Sequence, residues 1–106
     1  MLVNTIEKLV ELIVPLVEPT QIILFGSYAR GDFTENSDID LLVLKKGLKN
    51  EKSTTDMIYY SLYHNNIEKS VDVYAVDYDK YLKNNNIIGY LFKTIKNEGR
   101  IIYESS

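Results

Sequence analysis

Hydrophobic and polar residues alternate with helical periodicity at the start of this chain. Apolar side chains in residues 6–13 recur at the spacing of one helical face, which predicts an N-terminal amphipathic helix. Asn4 and Glu7 are predicted to cap its first turn. Pro15 and Pro19 are predicted to kink or end it, because proline lacks the backbone N–H that a helix interior needs.

Apolar runs of strand length follow the first helix. Residues 21–25, 38–44 and 70–76 predict three strands, and residues 100–103 predict a short fourth strand after Gly99. The uninterrupted first run is typical of a strand that is covered on both faces.

Two more helices are predicted between the strands. Ser53 or Thr54 is expected to cap a helix that crosses from the second strand to the third. Residues 82–97 predict a helix with Leu91, Phe92 and Ile95 on its apolar side. The expected buried side of the crossover helix consists of Met57, Ile58 and Leu62, together with Tyr59 and Tyr63.

The order of these elements predicts the fold class. A helical crossover usually joins parallel strands, so the second and third strands should run the same way. Gly26, which ends the first strand, reaches the end of the sheet where Asp38 and Asp72 lie only if that strand is antiparallel. We therefore expect an α/β (α+β) fold, with a mixed sheet of three to four strands flanked by helices, as a single domain over residues 1–106.

Composition narrows the classes of function. A formal charge of −3 and a pI near 5.1 argue against direct nucleic-acid binding. No apolar stretch approaches the about 20 residues of a membrane span, and charges interrupt the N-terminal pattern where a secretory signal would be apolar. The lack of cysteine fits a cytoplasmic protein, and it means that any metal must be held by oxygen.

The junction at Gly26-Ser27 carries the first chemical signal. Gly26 ends a strand, and Ser27 is predicted to cap a short helix over residues 28–30 before Gly31 breaks it. Free backbone N–H groups and the positive end of the helix dipole would point outward there, an arrangement that binds phosphate. The alternative is an ordinary strand-to-helix turn with a capping serine.

Aspartates at the start of two predicted strands carry the second signal. Asp38 and Asp40 alternate with apolar residues, so they should share a face about 7 Å apart and converge on the same metal ions. They could instead be charges at a strand edge, but buried carboxylates are costly unless they are paired or metal-bound. Asp72 lies near the beginning of the third strand, whereas Asp77 and Asp79 follow its apolar run and are typical of a turn.

Two further polar residues have alternative roles. Arg30 could contact phosphate through its guanidinium fork, or it could pair with Asp32 or Glu35. Ser37 directly precedes Asp38 and could simply bond the local backbone.

These residues resemble a known signature. Gly26-Ser27, a gap of ten residues and then Asp38-Ile39-Asp40 resemble the nucleotidyltransferase superfamily typified by DNA polymerase beta, which has a third acidic residue on a later strand. Arg30-Gly31, Ser37 and the ending over residues 95–104 resemble the minimal nucleotidyltransferases, which are the antitoxin partners of HEPN-domain toxins. The resemblance covers nearly the whole chain.

The resemblance implies a magnesium-dependent enzyme that transfers AMP, or another nucleoside monophosphate, from ATP to a hydroxyl acceptor. The implied acceptor is a tyrosine of a HEPN ribonuclease toxin, which would make the chain a type VII-like antitoxin. Two magnesium ions would be held by Asp38, Asp40 and Asp72, and Asp72 would also take the acceptor proton. The nucleotide phosphates would be bound by Gly26, Ser27, Arg30 and Ser37.

Larger relatives carry a further domain for the acceptor, and this chain shows none, so we expect a second protein or a second subunit to hold it. The chain would then work in a hetero-oligomer or a homo-oligomer. Two other hypotheses remain: an antitoxin that neutralises its toxin by binding alone, and an enzyme that modifies a small molecule such as an antibiotic.

Overall fold

The secondary structure alternates between helices and strands along the chain. A computed structural model describes residues 2–83 and 90–105. The helices are α1 (Leu2–Val17), α2 (Ser27–Arg30), α3 (Glu51–His64), α4 (Tyr78–Lys83) and α5 (Tyr90–Glu98). The strands are β1 (Gln21–Phe25), β2 (Ile39–Lys45), β3 (Val71–Asp77) and β4 (Arg100–Glu104).

The four strands form one mixed sheet in the order β3-β2-β1-β4. β2 is antiparallel to β1 and parallel to β3, and β4 is antiparallel to β1. The predicted mixed sheet flanked by helices is therefore confirmed. The predicted strands match the observed ones to within one residue at each end, and Asp38 lies just before β2 rather than inside it.

The sheet buries both of its faces, as the uninterrupted apolar runs predict. From Leu41 to Leu44, every residue of β2 is 0% exposed. One face packs against α1 and α3 through Leu9, Ile13 and Ile58. The opposite face packs around Phe25, Leu42, Leu44 and Ile95. Burying the sheet on both sides fixes its register, because a slip by one residue would move every side chain to the other face.

The predicted helix starts are wrong in three places. α1 begins at Leu2, so Asn4 lies inside it. α2 begins at Ser27, with Gly26 at its N-cap position and no side-chain cap. α3 begins at Glu51 because the side chain of Asn50 accepts a hydrogen bond of 2.9 Å from the Ser53 amide, which makes Asn50 its cap.

The other helix predictions are confirmed only in part. Pro15 does not end α1, since the helix continues to Val17, but the helix does end before the second predicted position, Pro19. Ile58 and Leu62 are buried in α3 as expected, but Met57 is 42% exposed, and Tyr59 and Tyr63 are also exposed. The helix predicted over residues 82–97 lies partly outside the described residues. In the described residues, α4 ends at Lys83 and α5 begins at Tyr90. No helix in the described ranges is long and apolar enough to span a membrane.

Candidate active site

Two aspartates meet at one end of the sheet. Asp40 of β2 and Asp72 of β3 are direct register partners, and Asp40 is also opposite Phe25, the last residue of β1. Neighbouring strands lie about 4.8 Å apart, so the two side chains project side by side from one face. The carboxyl groups are within hydrogen-bonding reach of each other. The alternation of residues along two parallel strands thus produces a carboxylate pair next to Gly26.

Asp38 lies beside this pair without belonging to it. It is exposed and occupies the connection that leads into β2. Its negative charge nevertheless acts on Asp40, where it contributes to a raised pKa. The structure therefore brings Asp40 and Asp72 together and leaves Asp38 at the solvent side.

Asp40 is an aspartate of this site whose pKa is shifted. Burial, the charge of Asp72 and a hydrogen bond to Asp72 raise the pKa of Asp40 from 3.8 to about 6, with a further contribution from Asp38. The positive charge of Arg30 opposes the rise in this pKa. A divalent cation between Asp40 and Asp72 would relieve the repulsion that causes the shift.

The backbone at Gly26 passes very close to Asp40. Gly26 has φ 76° and ψ −156°, a region that is essentially open only to glycine. A Cβ atom at this position would overlap Oδ2 of Asp40 and would lie 3.2 Å from its Cγ. The turn and the carboxylate pair therefore form one compact site, and the missing side chain is what lets them approach.

Helix α2 is anchored to the core by its buried residues. Tyr28 and Ala29 are buried in the core shared by α1 and α3, and the ring of Tyr28 stacks on Phe33 with centroids 4.4 Å apart. The amides of Ala29 and Arg30 both bond to the Gly26 carbonyl at 3.1 Å. Ser27 occupies the first position of the helix, and the first amides of a helix have no partner within it. Packing and these backbone hydrogen bonds thus fix the turn that contains Ser27.

Arg30 pairs with carboxylates on two sides. Its Nε lies 3.2 Å from Asp32 Oδ2, as one of the two sequence alternatives predicts, and its Nη1 lies 3.0 Å from Glu98 Oε1. The predicted alternative partner, Glu35, is not among these contacts. The hydrogen bonds that Arg30 donates to Glu98 and Asp32 raise the pKa of Arg30, which keeps its charge fixed. The guanidinium therefore links the Gly26-Ser27 turn to the end of α5.

Ser37 stabilises the loop before β2. Its Oγ accepts a hydrogen bond of 2.8 Å from the Thr34 amide and lies 3.4 Å from Thr34 Oγ1. This is the local backbone interaction that the sequence left open as an alternative. Ser37 thereby shapes the connection that carries Asp38 toward the site.

The oxygen donors fit a magnesium ion that is bound together with a nucleotide. Within the ranges that the structure describes, no three acidic or histidine side chains converge closely enough to enclose a metal by themselves. Mg²⁺ does not need such a cage, because it commonly uses one or two carboxylates and completes its octahedron with phosphates and water. Asp40 and Asp72 would be that pair, and Asp38 lies near enough to affect the pKa of Asp40.

Replacing Asp40 by Asn is expected to stabilise the metal-free protein at neutral pH. The folded-state pKa of about 6 lies above the ordinary 3.8, so ionised Asp40 destabilises the fold increasingly between pH 4 and pH 6 and fully above that range. Because this carboxyl is partly solvated, we expect a gain of about 1 kcal/mol for Asp40→Asn at pH 7.5, well below the full shift. Urea unfolding in EDTA measures the difference.

The gain should disappear below about pH 3, where Asp40 is protonated in both the folded and the unfolded state. Glu35→Gln is a matched control, because it removes one exposed carboxylate from the neighbouring loop. A gain of the same size in this control would mean that general surface repulsion, not the pair with Asp72, is responsible.

Two residues of the site escaped the sequence-based reasoning. Glu98 is 68 positions from Arg30 in the chain, and no local spacing connects them. Tyr74 lies two residues after Asp72 on the same face of β3, so the alternation that places Asp72 could also have identified Tyr74.

Comparison with known proteins agrees with this geometry. The sequence matches the nucleotidyltransferase domain family over residues 5–102. It is 36% identical over 83 residues to a protein of Methanocaldococcus jannaschii named "putative protein adenylyltransferase", and the match covers 78% of this chain and 77% of that protein. A second protein of the same name and organism is 50% identical over 38 residues, which cover 36% of this chain and 38% of that protein.

Solved structures share the fold. A crystal structure named as a "putative nucleotidyltransferase" from Sulfolobus solfataricus superposes with a TM-score of 0.67 at 22% identity, covering 95% of this chain and 78% of that one. A toxin-antitoxin structure with AMP-PNP superposes with a TM-score of 0.63 at 22% identity, covering 97% and 73%. A toxin-antitoxin MntA-HpeT variant gives 0.62 at 23% identity, covering 97% and 72%.

The match over residues 5–102, together with the identity to the first relative, extends well beyond the signature at the end of the sheet. The chain therefore belongs to the nucleotidyltransferase domain family.

Proposed function

We propose that this protein transfers AMP from ATP to the hydroxyl group of a tyrosine on a HEPN-domain toxin, and that it acts as the antitoxin of that toxin. The observation that carries the proposal is the Asp40–Asp72 pair directly beside the glycine turn. One small area thus offers a place for phosphates and a place for cations. The names of the similar proteins, which refer to adenylyltransferases and toxin-antitoxin complexes, support the choice of reaction and partner.

Each residue of the site has its own role in an in-line displacement. The acceptor oxygen attacks the α-phosphorus, a new P–O bond forms, and the bond between that phosphorus and the α–β bridging oxygen breaks to release pyrophosphate. Asp72 accepts the proton of the attacking hydroxyl. The backbone at Gly26 and Ser27 holds the β- and γ-phosphates, which become the leaving group.

Asp40 and Asp72 would hold magnesium together with the phosphates, and Asp38 would complete the set from the solvent side. When bound, the metal neutralises phosphate charge and polarises the oxygens of the reacting group. The chain's own contribution is to fix both carboxylates side by side on adjacent strands. Arg30, held by Asp32 and Glu98, adds positive charge beside the turn.

The proposal is tested with a HEPN-domain protein that co-purifies with this chain as the acceptor. We expect ATP labelled at the α-phosphate to label that protein, while ATP labelled at the γ-phosphate does not. EDTA should abolish the labelling, and added Mg²⁺ should restore it. A γ-label on the partner would indicate phosphorylation instead, and an α-label that appears only on small molecules would contradict a protein acceptor.

A further inference from the structure

Tyr74 forms an exposed aromatic surface next to the carboxylate pair. It follows Asp72 by two residues on the same face of β3, and its register partner on β2 is Leu42. Tyr74 is 37% exposed, whereas the Phe25 ring behind it is 4% exposed and 5.8 Å away between centroids.

The order of the strands indicates the side from which an acceptor would approach. The Gly26-Ser27 turn follows β1, Asp40 is on β2, and Asp72 and Tyr74 are on β3, at the edge of the sheet. In an in-line displacement the acceptor enters on the side of the phosphorus opposite the leaving group. If pyrophosphate leaves over β1, the acceptor must approach over β3, where Tyr74 lies.

An open cleft at the edge of β3 has Tyr74 in its lining. It has a volume of about 320 Å³ and lies between the edge of β3 and the start of α3, with Ala75 and Thr55 among its lining residues. This volume is at the lower end of the range for ligand pockets, so it suits a side chain better than a large cofactor.

The edge of β3 is already occupied in a way that opposes strand addition. The hydroxyl of Tyr59 accepts a hydrogen bond of 2.8 Å from the Val73 amide, and Glu51 Oε2 accepts one of 3.3 Å from the Asp77 amide. An incoming peptide strand would need those outward-facing amides. The cleft is therefore open to a side chain but blocked to an added strand.

We infer that Tyr74 is the specificity-determining residue of the acceptor site, and that it selects an acceptor hydroxyl carried on an aromatic ring, namely a protein tyrosine. This inference rests on the proposed function. The ring of Tyr74, supported by Phe25, offers a face on which a second ring stacks. A serine or threonine hydroxyl has no ring to occupy that face, so it would be poorly held beside Asp72.

Amide NMR on the isotope-labelled protein tests the inference without relying on turnover. With Mg²⁺ and AMP-PNP present, N-acetyl-tyrosine amide should cause saturable shifts at the amides of Val73, Tyr74 and Ala75, and N-acetyl-serine amide should not. Tyr74→Leu keeps an apolar side chain over Phe25 but removes the ring. It should weaken the binding of N-acetyl-tyrosine amide at least fivefold. Tyr74→Phe keeps the ring and should bind like the wild type.

Three results would overturn the inference: no saturable shift with the tyrosine probe, equal shifts with the serine probe, or unchanged tyrosine binding in Tyr74→Leu. Weaker AMP-PNP binding in Tyr74→Leu, with the tyrosine probe unaffected, would instead assign Tyr74 to the nucleobase. Failure of AMP-PNP to shift the amides of Gly26 and Ser27 in the wild type would count against the proposed function itself, so the two failures are distinguishable.

Discussion

Replacing Asp38 and Asp40 together by Asn is expected to lower the rate of AMP transfer by about 1,000-fold or more. The amides keep the shape of the carboxylates but remove two negative charges from the place where cations and phosphates would meet. Metal-based charge stabilisation contributes several kcal/mol to such reactions, and each 1.36 kcal/mol is a factor of ten in rate. Transfer from α-labelled ATP to the partner protein measures the loss.

The matched control removes the same charge elsewhere. Glu11 and Asp79 are both exposed and lie outside the acceptor cleft, and Glu11→Gln/Asp79→Asn changes the net charge by the same two units. We expect this control to label the partner as the wild type does. Persistent labelling by the Asp38→Asn/Asp40→Asn variant would rule out the assigned carboxylates.

The same double variant also separates the competing antitoxin hypotheses. If it no longer labels the partner but still neutralises the toxin, neutralisation occurs by binding alone. If labelling and neutralisation are lost together while the complex still forms, transfer is the means of neutralisation. A chain that labels small alcohols in an extract, and no protein, would support the small-molecule hypothesis.

The sheet could be predicted from the sequence because its strands are buried on both faces. A run such as residues 21–25 has no helical period and no polar interruption, so only a covered strand fits it. The antiparallel arrangement of β1 followed from chemistry, since it brings the glycine turn to the end where Asp38 and Asp72 lie. The register that pairs Asp40 with Asp72 then follows from two parallel strands that start side by side.

Helix boundaries were less predictable because several residues compete for each cap. Asn50, Ser53 and Thr54 can all cap α3, and the sequence does not reveal that Asn50 has the extended backbone that a cap needs. Pro15 removes only one backbone donor near the end of α1. The burial of Ile13 and Val17 on either side of it is enough to keep the last turn helical.

The site was predictable where its residues are local and unpredictable where they are not. Gly26 and the aspartate alternation are short-range patterns, and the structure brings Gly26, Asp40 and Asp72 together. Glu98 reaches Arg30 only because α5 returns the chain to the end of the sheet, and packing of whole elements decides that contact. Sequence spacing contains no information on such a contact unless both elements are already positioned.

Gly26→Ala is expected to have the largest effect on stability of any single substitution proposed for this chain. The φ and ψ of Gly26 lie in a region that costs a residue with a side chain about 1–3 kcal/mol. The added methyl group would also overlap the carboxylate of Asp40. We expect a total loss of about 3 kcal/mol and a fall in Tm of about 15 °C in thermal unfolding, together with loss of AMP-PNP binding.

Two further variants separate the backbone strain from the overlap. Gly31 also has positive φ, at 90°, but a Cβ there would meet nothing within 4 Å, so Gly31→Ala should cost only about 1 kcal/mol. Combining Gly26→Ala with Asp40→Ala removes the overlapping carboxylate and should recover part of the lost stability, which a double-mutant cycle measures. Strict additivity of these two substitutions would show that Gly26 and Asp40 do not meet, and the turn would then be unconnected with the carboxylate pair.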